Sequence, residues 1–145
     1  MGGGSGPGND SGSERPDPAD VAAFTAVRAA VLEQIARSCA AVGRDPATVR
    51  LVAVSKTVPA ERLRAAVAAG LTTLGENRVQ EAEAKVGAVS GARWHLVGPL
   101  QSNKVRRAVE TFEMIESVDS VELGARLDRI VREARGLEPE GPVPE

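Results

Sequence analysis

The hydrophobic positions change period along the chain. Val21, Phe24, Val27, Val31, Ile35, Cys39 and Val42 recur at spacings of three and four, the stripe of an amphipathic helix. Asp17-Pro18 supplies its start, an N-cap followed by proline at the first helical position. Gly43 supplies its end as a left-handed C-cap. Cys39 lies on the stripe and reads as a core residue rather than a reactive thiol.

After this helix a shorter unit recurs. Residues 50–55 read as a strand, and 59–69 as a helix with Leu63 and Val67 inward, stopped by Gly70. Residues 71–74 form a second strand, and 77–86 a helix with Val79, Ala82 and Val86 on one face. Residues 93–97 form a third strand, followed after Gly98-Pro99 by a helix over about 102–109. Residues 112–117 form a fourth. Asp119 caps the last helix, with Glu122 three residues later as in a capping box. Leu123, Leu127, Ile130, Val131 and Ala134 make its buried face before Gly136 stops it.

Four strand–helix pairs joined by short loops predict an α/β fold with a parallel sheet. Such tight, regular units suit a (β/α) barrel at least as well as a doubly wound sheet. An eight-unit barrel takes about 250 residues, and this chain has 145. The expected architecture is therefore a partial TIM-type (β/α)8 barrel, about four βα units plus an N-terminal helix. An open four-stranded sheet is the alternative. Residues 1–16 are too polar to form a core and are expected to be a disordered leader. The folded unit would span 17–136, and 137–145 a proline-rich tail.

Composition narrows the function. The chain is 42% hydrophobic and 26% charged, ordinary for a globular protein, but only 2% aromatic, so Ala, Val and Leu must fill the core. The net charge of −2, with both signs interspersed, gives no basic stripe for nucleic acid. No apolar run approaches the roughly 20 residues that cross a bilayer, and the N-terminus lacks the features of a secretory signal. Cys39 is the only cysteine, which excludes an internal disulfide and a multi-cysteine metal site. A cytoplasmic protein is the simplest expectation.

In parallel architectures chemistry collects at the C-terminal ends of the strands. Four stretches fall there: Ser55-Lys56-Thr57, Gly75-Glu76-Asn77-Arg78, Trp94-His95 with Gly98-Pro99, and Ser117-Val118-Asp119. On position alone Lys56 is a solvated loop lysine. Alternatively it is an amine held in the barrel mouth, where desolvation favours its neutral, nucleophilic form. His95, the single histidine, would by itself satisfy a structural hydrogen bond, and Asn77 would cap its helix. Gln101-Ser102-Asn103-Lys104 opens a helix whose free amides could hold an anion, although a plain capped helix is the simpler use.

Four motifs go further together than any does alone. LVAVSKTVPAERLRAAVAAG, LGENRVQEAEAK, WHLVGPLQSNKVRRAVE and IESVDSVELGARL, in that order and spacing over about residues 20–135, resemble the pyridoxal phosphate homeostasis protein family. The resemblance implies a barrel like the N-terminal domain of alanine racemase, of fold type III. It implies pyridoxal 5′-phosphate (PLP) held as a Schiff base on Lys56, with Asn77 and His95 beside the ring. It implies intracellular PLP homeostasis without catalytic turnover, PLP-dependent apoenzymes as partners, and a monomer at full length. It also places the phosphate-holding segment on later strands, after residue 145. This chain alone is thus expected to hold PLP weakly or not at all, and to be poorly folded because half a barrel exposes two edge strands. A racemase-like PLP enzyme is an alternative, against which stands the absence of any tyrosine. A cofactor-free interaction module, with Lys56 merely exposed, is another.

Overall fold

The computed structural model describes residues 15–137. Residues 1–14 of the expected leader, and 138–145 of the expected tail, lie outside the described residues. Helix α1, Pro18–Ala40, starts where Asp17 accepts a hydrogen bond from the Ala19 N–H at 2.8 Å. Past Ala40 the chain turns through Gly43 at φ +65, and Arg44 N–H closes on the Cys39 carbonyl. A 3-10 turn at Pro46–Thr48, capped by Asp45, was not anticipated.

The inward face of α1 is rotated from the expected stripe. Cys39 is buried and Val21, Phe24, Val31 and Ile35 are half-buried, but Val27 and Val42 are exposed. The cause is that α1 packs mainly on one neighbour, α2 (Ala60–Ala68). Polar residues complete that contact. Arg62 sits 5.4 Å over the Phe24 ring and pairs with Asp20.

Strands β1 (Ala53–Val54), β2 (Thr73–Glu76), β3 (Arg93–Leu96) and β4 (Met114–Ile115) form one parallel sheet in the order β1-β2-β3-β4. Helices α3 (Val79–Val86), α4 (Val105–Thr111) and α5 (Val121–Arg135) follow β2, β3 and β4. Spatial order equals chain order, so this sheet lacks the reversal at which doubly wound folds place their ligands.

Several boundaries are corrected. β2 runs 73–76 rather than 71–74, because Leu71 N–H is consumed closing α2 onto the Ala66 carbonyl around Gly70 at φ +89. Gly75 and Glu76 are therefore strand residues. β1 and β4 are two residues each, and Phe112 ends α4 instead of opening a strand. Arg78, not Asn77, is the N-cap of α3, and no side chain caps it. Residues 102–104 make a 3-10 turn before α4 begins at Val105. Ser120 rather than Asp119 caps α5, accepting from Leu123 N–H at 3.2 Å. Glu122 is then one position early for a capping box.

The core lies between the helices and one face of the sheet. Leu63 of α2, Val79 and Ala82 of α3 and Ala108 of α4 pack with Leu74, Trp94 and Leu96. Ala53 and Ile115 pack against the same cluster. Alternation along the strands puts Val54, Gly75, His95 and Met114 on the opposite face. They form one cross-strand row in the observed register.

Candidate functional site

β1 ends in a tight turn. Val58 N–H donates to the Ser55 carbonyl at 3.1 Å, so Lys56 and Thr57 hold its two central positions. Thr57 has φ +64, the one non-glycine residue with positive φ among those described. A β-branched residue in the left-handed region is strained by about 1–3 kcal/mol and persists only where its surroundings hold it. Lys56 is exposed at this corner, as the solvated-loop reading expects, rather than sheltered as the barrel-mouth reading expects, because nothing among the described residues covers it there.

The chain has three lysines, Lys56, Lys85 and Lys104. Lys85 is committed: its Nζ donates to Glu76 Oε1 at 2.5 Å and to the Ser55 carbonyl at 2.9 Å, with the side chain 14% exposed. Lys104 is half-buried. Lys56 is thus the exposed lysine, and its side chain makes no hydrogen bond among the described residues.

His95 is fully buried in the third strand. Its Nδ1 lies 2.6 Å from Glu116 Oε1, just past β4, while its Nε2 is buried without a partner. Glu116 is itself tied to β3 by its N–H on the Leu96 carbonyl. Asn77 is half-buried at the end of β2 and lines an open cleft with Arg78, Pro99, Gln101 and Lys104. Its backbone runs against Gly98, where a Cβ would come 2.3 Å from the Asn77 carbonyl oxygen. Only glycine fits there.

Lys56 follows β1, Asn77 follows β2 and His95 lies within β3, three neighbouring strands, with His95 in register with Gly75, two residues inward of Asn77. No hydrogen bond joins them. The anion reading of residues 101–104 finds little basis, since residues 102–104 form a 3-10 turn and the helix after them has seven residues. No group of three His, Cys, Asp or Glu side chains among the described residues could hold a metal. No described helix is long and apolar enough to cross a membrane.

Three features escaped the sequence reading. The partner of His95, Glu116, depends on the β3–β4 register. The Glu76–Lys85 pair was legible in part: Lys85 falls three residues after Ala82 on the buried stripe, and Glu76 two after Leu74. Ending the strand at Leu74 hid it. The left-handed Thr57 carries no signal in residue type.

No family model matches the chain. It is 48% identical over 101 residues to the pyridoxal phosphate homeostasis protein of Pseudomonas aeruginosa, covering 68% of this chain and 44% of that protein. PipY of Synechococcus elongatus, solved with PLP bound, is 49% identical, with a TM-score of 0.59 over 70% of this chain and 49% of PipY. A protein of unknown function from Bifidobacterium adolescentis is 34% identical, with a TM-score of 0.70 over 83% of this chain and 53% of its own. The chain thus spans about half the length of the curated relatives it matches. Over that span it is similar to the pyridoxal phosphate homeostasis proteins, and the partial coverage fits their N-terminal half.

Proposed function

We propose that this chain is the N-terminal part of a PLP-binding (β/α)8 barrel that serves PLP homeostasis and carries the cofactor on Lys56 without turnover. The observation that carries the reading is the position of Lys56, on a strained turn at the C-terminal end of β1, in a chain that over 70% of its length matches at 49% identity a protein solved with PLP bound. The sequential strand order agrees with a barrel segment. The names of the relatives agree with homeostasis rather than catalysis.

The donor set suits this ligand. Lys56 offers a primary amine to solvent. Its condensation with the aldehyde forms one C=N bond and releases one water. Asn77 offers an amide with no other partner, at the edge of an open cleft. His95 offers a buried Nε2 with no protein partner, its ring held by Glu116. When bound, PLP supplies a reactive aldehyde that PLP-dependent apoenzymes, the partners of this reading, require.

Borohydride trapping tests it. The chain is mixed with PLP, reduced, digested and mapped by mass spectrometry. With three lysines the map is simple. A length-completed version is treated in parallel, and the expected result there is an adduct concentrated on Lys56 and abolished by Lys56→Ala. Equal labelling of Lys56, Lys104 and the terminal amine, which is what exposed amines alone would give, overturns the assignment. Racemisation of L-alanine by the loaded chain would overturn the carrier role.

A further inference from the structure

We propose that Glu76 and Lys85 form a clasp on Ser55 that positions Lys56, fixing the direction in which its amine leaves the sheet. The proposal rests on Lys56 being the attachment residue. It assigns a task to two buried polar residues, Ser55 and Glu76, and to the part-buried Lys85, all of which the binding reading leaves unused.

Ser55 is 1% exposed and every polar group it has is engaged. Its N–H donates to the Gly75 carbonyl at 2.8 Å. Its hydroxyl donates to Glu76 Oε1 at 2.8 Å, with the Gly75 carbonyl an alternative acceptor at 3.1 Å. Its carbonyl accepts from both Val58 N–H and Lys85 Nζ. Lys85 reaches this carbonyl from α3, thirty residues along the chain. One ion pair therefore ties the end of β1, the end of β2 and a helix to the residue immediately before Lys56.

Stability does not explain the arrangement. Taking a carboxylate and an ammonium out of water costs several kcal/mol per ion, and a well-packed apolar pair is often as stable or more so. The cost is not fully offset here, because Glu76 Oε2 is buried with no partner. A half-satisfied polar network is inferior to an apolar core as a source of stability. It does supply direction. The turn after Ser55 contains Thr57 in a strained conformation, which neighbours must hold in place. With the Ser55 carbonyl clamped by two donors, the Lys56 backbone sits between a locked residue and a strained one. Only its side-chain torsions remain to be ordered when an aldehyde arrives, and that preorganisation favours capture at this amine over others.

The test replaces the pair together, Glu76→Leu with Lys85→Met, which leaves no unpaired charge. Two readouts are taken. Amide hydrogen exchange at Val58, measured without cofactor, should accelerate about tenfold as the clamp opens. Borohydride trapping at limiting PLP should show the Lys56-to-Lys104 adduct ratio falling about tenfold against wild type. A folded double variant with Val58 exchange and adduct ratio both unchanged overturns the clasp. If circular dichroism shows the double variant unfolded, Ser55→Ala, which removes one hydroxyl and no charge, carries the same comparison. A drop of about threefold is then expected, and no drop counts against the proposal. Wild-type adducts spread evenly over the amines would refute the attachment reading and the clasp with it. Wild-type labelling at Lys56 beside an equally labelled variant refutes the clasp alone.

Discussion

Thr57 holds a conformation that costs an L-residue about 1–2 kcal/mol and glycine almost nothing. Replacing it with glycine relieves that cost, while the added freedom of the unfolded chain takes part of the gain back. Thr57→Gly should therefore stabilise the chain by about 0.5–1 kcal/mol in urea unfolding. A destabilised variant would show that the threonine side chain contributes more than its backbone costs. At this scale the sequence showed which residue types sit at the rim. Lys56 and Asn77 were legible as residues near strand ends, and His95 as a residue of the third strand, because short apolar runs located the strand ends within two residues. Their partners were not legible. Glu116 meets His95 only through the pairing of β3 with β4. Ser55 meets Lys85 only through the packing of α3 on the sheet. Long-range pairings of this kind leave no local trace.

At the scale of elements, type and order were legible and boundaries were not. Apolar periodicity reports which face is buried, whereas an end is decided by where the last carbonyls find donors. Gly70 and Gly136 show the legible case: both have positive φ and both donate their N–H back to the helix they end, Gly70 to the Val67 carbonyl and Gly136 to the Glu133 carbonyl. Ser120 shows the other, since Asp119 is chemically an equal cap and only geometry selects its neighbour. Between α3 and α4, Arg107 makes a two-pronged pair with Glu83, its Nε 2.8 Å from Glu83 Oε1. The Arg107 hydrogen bond, more than its charge or that of Lys104, holds the Glu83 carboxyl below its ordinary value of 4.5. The sign follows from linkage. A carboxyl with a lowered folded pKa contributes stability above its unfolded pKa and loses it as pH falls through the folded one. Both groups are exposed, so the effect is small and salt-sensitive. Urea midpoints of wild type should exceed those of Glu83→Gln near neutrality, and the two should converge on acidification below the carboxylate range. A gap that persists in acid would mean that packing, not charge, links these helices.

At the scale of the molecule, the sheet has two unequal faces. Parallel sheets are ordinarily covered on both, because crossover helices or a closed barrel leave neither to water. Here the helices pack with Leu74, Trp94 and Leu96 on one face. On the other, Val54 is 53% and Met114 44% exposed. The sequence predicted a parallel sheet but not this asymmetry, because the apolar run Leu51–Val54 has no alternation to say which side is wet. Leu74 is fully buried, and Leu74→Ala should cost about 2–5 kcal/mol through lost transfer energy and an unfilled cavity. Val54→Thr combined with Met114→Thr, in the row that also holds Gly75 and His95, should change stability by no more than about 0.5 kcal/mol, since water already reaches both side chains. Urea unfolding of the two variants measures the contrast directly. If the double threonine variant instead lost more than about 1.5 kcal/mol, this face would be covered in solution, by a second chain or by residues of this chain outside the described ones. The dependence of that loss on protein concentration would distinguish the two.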